Sequence, residues 1–269
     1  MRIWGKVLGF LFGLMLSKNI FGALLGAWLG HRFDKGIGLN FNSLGGAKSE
    51  ADRQATFFYS SFSVMGYIAK ANGQVTQHEI AFATAYMDKL GLKDSLRQQA
   101  QDAFRDGKTT GFPLTERLTE LKSAVGSRQD LLLLFLEIQI QVAFADGSLD
   151  TDEREALHQI ANGLGYSAQE LDKLLEMIIA GANFHQQGQR GANQSFAQSG
   201  KQLENAYKVL GVSKSDSASD IKKAYRKLMS QHHPDKLVAK GLPPEMMETA
   251  KQKAQDIQAA YELVSAQNK

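Results

Sequence analysis

His233, Pro234 and Asp235 follow one another directly, and the stretch before them carries Lys222, Lys223, Arg226 and Lys227 at spacings that share one helical face. A histidine beside an aspartate invites an acid–base reading. With a proline between them the two side chains point away from one another, and no nucleophile or metal-ligand set accompanies them, so catalysis by this pair is set aside. The four cations are a small footprint for nucleic acid without aromatic stacking or groove-reading partners, and no nucleic-acid partner is expected.

A second constellation is acidic. Asp146, Asp150, Asp152 and Glu153 lie close together and invite a metal reading. A calcium loop of the EF-hand kind needs alternating oxygen ligands with glycine at its sixth position, whereas here Gly147 directly follows Asp146. Asp150 with Glu153, and Thr76 with Glu79, fit the N-cap plus N3 capping box that satisfies orphan N–H groups. The expectation is caps and a solvated face, with no metal and no cofactor. The chain has no cysteine. That excludes a disulfide framework, a cysteine-held zinc or iron–sulfur site and a thiol nucleophile.

The elements that position the first group can be read on either side of it. Leu203, Tyr207 and Leu210 mark a short amphipathic helix closed by Gly211. Ser217 with Asp220 caps a second helix whose apolar stripe is Ile221, Ala224, Tyr225 and Leu228, and Pro234 stops it, leaving His-Pro-Asp in the loop that follows. A third helix starts near Pro243, Pro244 and Glu245 and packs Met247, Ala250, Ala254, Ile257, Tyr261 and Val264. The last two form an antiparallel hairpin with the first laid across it.

The middle of the chain repeats itself. Ala69-Lys-Ala-Asn-Gly-Gln-Val-Thr-Gln-His-Glu79 matches Ala143-Phe-Ala-Asp-Gly-Ser-Leu-Asp-Thr-Asp-Glu153 at an offset of 74, and Leu90-Gly91-Leu92 falls on Leu164-Gly165-Tyr166 at the same offset. Each copy reads as an apolar helix, a glycine turn and a second helix; the first helices are expected at 57–71 and 130–145. Leu131–Leu134, Phe135, Ile138, Ile140 and Val142 are apolar nearly all round, as a helix at the centre of a bundle would be. A bundle of about seven helices is expected over 55–181.

At the start, Val7–Gly30 has only Ser17, Lys18 and Asn19 as polar side chains. At about 1.5 Å per residue a helix of that length exceeds a hydrocarbon core of about 30 Å. Lys18 costs about 2.5–3.5 kcal/mol near the centre, against twelve Leu, Ile, Phe and Val residues that each favour insertion. Gly22, Gly26 and Gly30 form a small-residue stripe that suits a transmembrane homodimer contact. A cleaved signal peptide fits poorly, because the stretch is too long and lacks a small-x-small site. The expected order is a short tail (1–6), a transmembrane helix (7–30), a juxtamembrane linker (31–54), the helical bundle (55–181), a Gly/Gln/Asn/Ser-rich flexible linker (182–202) and the hairpin module (203–269). Net charge runs +5 over 1–48, −7 over 49–180, +2 over 181–202 and +3 over 203–269, within a total of +3, which points to modules with different partners. The acidic middle is expected to meet a cytoplasmic partner of unknown identity.

The doubled A-x-A-[ND]-G-x-[VL]-[TD]-x-x-E pattern resembles TerB-like domains of the tellurite-resistance family. Residues 203–265, with AYKVLGV, the IKKAYRKL helix, HPDK and AQDIQAAYELV in order, resemble the J domain of the DnaJ (Hsp40) family, departing from it where Ala254 replaces a common Phe. The whole arrangement is similar to the bacterial membrane-anchored DnaJ-like co-chaperones. That resemblance implies an all-α protein with a single inner-membrane span, a periplasmic N-terminus and a cytoplasmic bulk. It implies no enzyme activity of its own but stimulation of ATP hydrolysis by an Hsp70 (DnaK) through His233, Pro234, Asp235, Lys222, Lys223, Arg226 and Lys227. Dimerisation and a link to envelope signalling that controls capsule polysaccharide are also implied. The alternative from the same residues is a metal-binding membrane stress module centred on the TerB-like domain.

Overall fold

Helix periodicity through the middle of the chain becomes seven helices in the computed structural model, which describes residues 49–71, 73, 77–145, 147–188 and 196–267. They are α1 (Glu50–Ile68), α2 (Gln77–Lys89), α3 (Asp94–Gly107), α4 (Leu114–Val125), α5 (Gln129–Ala143), α6 (Thr151–Leu164) and α7 (Ala168–Gly188). Then come α8 (Phe196–Val209), α9 (Ala218–His232), the short α10 (Pro234–Ala239), a 3₁₀ turn (Pro244–Met246) and α11 (Met247–Gln267). The all-α expectation and the seven-helix bundle both hold, with no strand among the described residues. The expected span at 7–30, its Gly22, Gly26 and Gly30 contact, the Thr76–Glu79 cap and Asp146 lie outside the described residues. Among the described residues no helix is long and apolar enough to cross a membrane.

The internal repeat is a three-helix unit. α2 and α6 begin 74 residues apart, at Gln77 and Thr151, and so do α3 and α7, at Asp94 and Ala168. Their turns repeat too: Gly73 and Gly147 have φ of +85° and +89°. Gly91 and Gly165 end α2 and α6 by the same pair of bonds, Leu92 N–H to Met87 O (3.0 Å) with Gly91 N–H to Asp88 O (2.9 Å), and Tyr166 N–H to Ala161 O (2.8 Å) with Gly165 N–H to Asn162 O (3.0 Å). This is the Schellman ending, in which a left-handed glycine lets two orphan carbonyls be met.

α5 lies at the centre and touches α1, α2, α4, α6, α7 and α9. Every residue from Leu131 to Ile140 is buried. Phe57 of α1 meets Phe135 edge-on at 6.0 Å, and Gln139 of α5 donates to the Ser61 carbonyl at 3.3 Å. α1 and α3 cross with their backbones in contact. A Cβ on Gly107 would lie 1.7 Å from the Ser63 carbonyl oxygen, and one on Gly66 would lie 2.0 Å from that of Phe104.

The segment 182–202, expected from its composition to be a flexible linker, is helical at both ends. α7 continues through Gly188 and α8 begins at Phe196. Met177, Ala180 and Phe184 on α7 form a second core with Ala206, Tyr207, Val209 and Leu210, so α8 lies along α7. Packing against an element outside the window, rather than local propensity, sustains these turns.

The α1–α3 crossing yields a direct test. Gly107→Ala should destabilise the chain by about 1–3 kcal/mol or more, because the new methyl meets backbone that cannot rotate away, whereas Gly126→Ala, strained in φ (+65°) but with open space around it, should cost less. Thermal unfolding of the two variants followed by circular dichroism checks the ranking.

Candidate functional site

Ser217 starts α9: its hydroxyl accepts from the Asp220 N–H at 3.1 Å and donates to the Asp220 carboxylate at 2.7 Å. From there the helix divides its faces as its stripe requires. Ile221 and Leu228 are buried, while Lys222, Lys223, Arg226 and Lys227 are all exposed and make no ion pair among the described residues. Tyr225 stacks on Tyr261 of α11 at 4.1 Å, closing the hairpin.

α9 ends where proline forbids continuation. His233 turns extended (φ −65°, ψ 121°), and Pro234 then occupies the first position of a new helix. The expected loop is therefore corrected: His-Pro-Asp is the entry into α10, with His233 as N-cap residue and Asp235 in the first turn. Proline suits that position because its N–H would be unpaired there in any case. His233 and Asp235 are both exposed, and Lys236 is tied back to Ser230 at 2.9 Å. α10 closes on Gly241 (φ +96°), with the Leu242 N–H donating to Leu237 O at 2.9 Å.

What holds this turn is the bundle. Leu237, Leu242, Met246 and Ala250, all fully or almost fully buried, belong to the bundle's own core cluster. Each buried leucine stabilises that docking by about 1.5–3 kcal/mol. Polar contacts add direction. Lys240 pairs with Asp130 at the start of α5, and Tyr86 of α2 shares a buried hydrogen bond with Thr249 of α11 at 3.2 Å. Burial pushes the Tyr86 hydroxyl up to about 12.

At the centre stands Glu137 of α5, 2% exposed. One carboxylate oxygen takes a bond from His232 Nε2 at 2.9 Å and the other pairs with Lys253 Nζ of α11 at 3.2 Å. The second ring nitrogen of His232 faces the Leu228 carbonyl at 2.9 Å. Both ring nitrogens thus lie within hydrogen-bond distance of an oxygen that can accept. Burial by itself would raise the Glu137 carboxyl, but the charges of His232 and Lys253 and their hydrogen bonds outweigh it and hold the group at about 2.

Sequence reasoning placed the basic face and the His-Pro-Asp turn on one hairpin, and the structure brings them together at its exposed side. It missed Glu137, His232, Lys253, Asp130 and Lys240. The available signal was a glutamate inside a predominantly apolar helix. Of the acidic cluster, Asp150 and Glu153 are engaged in a reciprocal cap: the Glu153 N–H donates to Asp150 at 2.7 Å and the Asp150 N–H to Glu153 at 3.0 Å. Asp152 lines an open cleft of about 410 Å³ with Tyr67, Lys70, Phe112, Glu155 and Gln159. Among the described residues no three His, Asp or Glu side chains converge as a metal site would need.

Comparison with known proteins completes the picture. Residues 1–49 match the transmembrane domain of co-chaperone DjlA, residues 59–177 match the tellurite resistance protein TerB, and residues 205–269 match the DnaJ domain. The chain is 51% identical to the co-chaperone protein DjlA of Vibrio cholerae, with 98% of each chain covered. It is 48% identical to that of Escherichia coli K12 and 49% identical to that of Salmonella typhimurium, each over 99% of this chain and 98% of the relative. No solved structure matches the chain.

The Glu137 cluster predicts a pH dependence. Because the folded state holds this carboxyl below its ordinary value of 4.5, its contribution to stability is fully present above about pH 4.5 and is lost as pH falls towards about 2. The groups facing it are His232 and Lys253, with Tyr166, itself raised to about 12 by burial and by Glu137, close by. Glu137→Gln should lower stability by a few kcal/mol at pH 7. Melting curves of the two full chains should draw together progressively below pH 4.5 and meet near pH 2.

Proposed function

The chain belongs to the DjlA family of membrane-anchored, DnaJ-type co-chaperones, and on that premise we propose that it stimulates ATP hydrolysis by a cytoplasmic Hsp70 (DnaK). A J-domain co-chaperone acts on a chaperone of the Hsp70 type and is a regulator rather than an enzyme. In this reading His233, Pro234 and Asp235 engage the Hsp70, and Lys222, Lys223, Arg226 and Lys227 draw its acidic surface in. The observation that carries it is the exposure of the His-Pro-Asp entry to α10 beside four cations on the same hairpin that make no ion pair among the described residues. Chemistry then occurs in the partner. The chain contributes a bound geometry that favours the hydrolysing state of the Hsp70, a coupling between sites rather than a catalytic group.

The remaining parts place that activity. The N-terminal domain anchors the chain in the bacterial inner membrane, with the N-terminus periplasmic and the bulk cytoplasmic, and Gly22, Gly26 and Gly30 pair two copies in the bilayer. The chain has no cysteine zinc module, which favours a specialised regulator, linked here to envelope and capsule polysaccharide signalling, over a general holder of unfolded clients. The acidic bundle is the surface on which a cytoplasmic signalling partner would be recruited.

The test is a single-turnover ATPase assay of DnaK with the full chain in detergent. Asp235→Asn and His233→Gln should each abolish stimulation while helix content stays unchanged. Replacing the four cations by alanine should weaken the interaction on the order of tenfold at low salt and less as salt screens the encounter. Stimulation that survives Asp235→Asn sinks the proposal.

A further inference from the structure

Among the described residues, the most deeply buried carboxylate at the junction of bundle and J domain comes from the bundle. We propose that Glu137 is a positioning residue for the J domain: its carboxylate grips the end of α9 through His232 and α11 through Lys253, and so fixes the direction in which His233, Pro234, Asp235 and the basic face are presented. This role rests on the co-chaperone reading above.

Three observations carry it. The first is where the grip falls. His232 immediately precedes the His-Pro-Asp turn, and Lys253 lies on the opposite limb of the hairpin, so one carboxylate ties both limbs beside the turn itself. The second is what the grip leaves open. His232, Leu237, Leu242, Met246 and Ala250 face the bundle, while Lys222, Lys223, Arg226, Lys227, His233 and Asp235 face solvent. Docking presents the partner surface instead of covering it.

The third observation is the repeat. At the offset of 74, Glu137 corresponds to Ser63 and Gly181 to Gly107. In the first copy those two positions meet each other, since a Cβ on Gly107 would strike the Ser63 carbonyl oxygen. In the second copy each meets the J domain: Glu137 holds His232 and Lys253, and the neighbour facing Gly181 is Val209 of α8. The J domain therefore sits at the positions through which the first copy closes on itself. A glutamate there in place of a serine makes the seat directional, because a carboxylate bonded at both oxygens fixes orientation as apolar packing alone does not.

If Glu137 is removed, His232 and Lys253 lose the acceptor they share and the hairpin end is freed to hydrate them. The presenting orientation then becomes one among several. Apparent affinity for the Hsp70 falls by the fraction of time the competent orientation is occupied, whereas the rate at saturation does not.

The experiment uses the full chain in detergent, titrated against DnaK at fixed ATP, with Glu137→Leu, Glu137→Gln and Lys253→Met. Because the chain has no cysteine, spin labels at Glu116→Cys on α4 and Ala259→Cys on α11, both exposed, report the bundle-to-J-domain distance in the same preparations. Glu137→Leu, which keeps the volume filled, should raise the half-maximal concentration about fivefold or more with the maximal rate unchanged, and should broaden the distance distribution. Glu137→Gln, which retains an acceptor for His232, should fall between it and the wild type. If circular dichroism shows that Glu137→Leu has lost helix, Lys253→Met carries the test with a smaller shift in the same direction. An unchanged half-maximal concentration overturns the positioning role alone, as does a gain in stimulation, which would make the seat a brake. A wild-type chain that never stimulates DnaK overturns the co-chaperone reading and the positioning role with it.

Discussion

A carboxylate among leucines is tolerable only where its charge is met, and Glu137 is met twice, by His232 and Lys253, both outside the bundle that buries it. The bundle's central helix is thus incomplete without the module that follows it. Desolvating an ion costs several kcal/mol, and only close, doubly bonded partners offset that. The rest of the junction is arranged around this demand: Leu237, Leu242, Met246 and Ala250 exclude water from it, while Asp130 with Lys240 and Tyr86 with Thr249 fix its flanks.

That dependence makes the hairpin's two sides different in kind. One side is apolar and ionic and is satisfied within the chain. The other carries four lysine and arginine side chains with no ion pair among the described residues, and a histidine and aspartate held at the mouth of a short helix. A basic surface of this kind is suited to an acidic partner, and a co-chaperone with a J domain works with a chaperone of the Hsp70 type.

Much of this was legible in residue order. The offset of 74 named the repeat, and the glycines at 73, 91, 147 and 165 marked its turns because each needs a positive φ that other residues resist. The basic face was legible because α9 keeps its apolar residues at helical spacing. The two ends of 182–202 were less legible, since Gly, Gln and Asn lower local propensity while Phe184 and its neighbours on α7 are stabilised by Tyr207 and Leu210 from beyond the window. The His-Pro-Asp turn was read as loop because proline ends α9, although the same proline is favourable at the first position of α10. Glu137 was hidden for a more general reason. Its partners lie 95 and 116 residues away, and no periodicity within a helix reports a contact that folding alone creates.

The shared core also decides how the chain can be taken apart. A cut between α7 and α8 divides two family matches neatly on paper, but it uncovers a buried carboxylate and an apolar seat on one piece and four apolar anchors on the other. Such pieces differ from the same residues in the intact chain in exposed surface and in local opening. Bundle and J domain therefore share one core, and a truncated J domain lacks the seat on which the intact chain packs it.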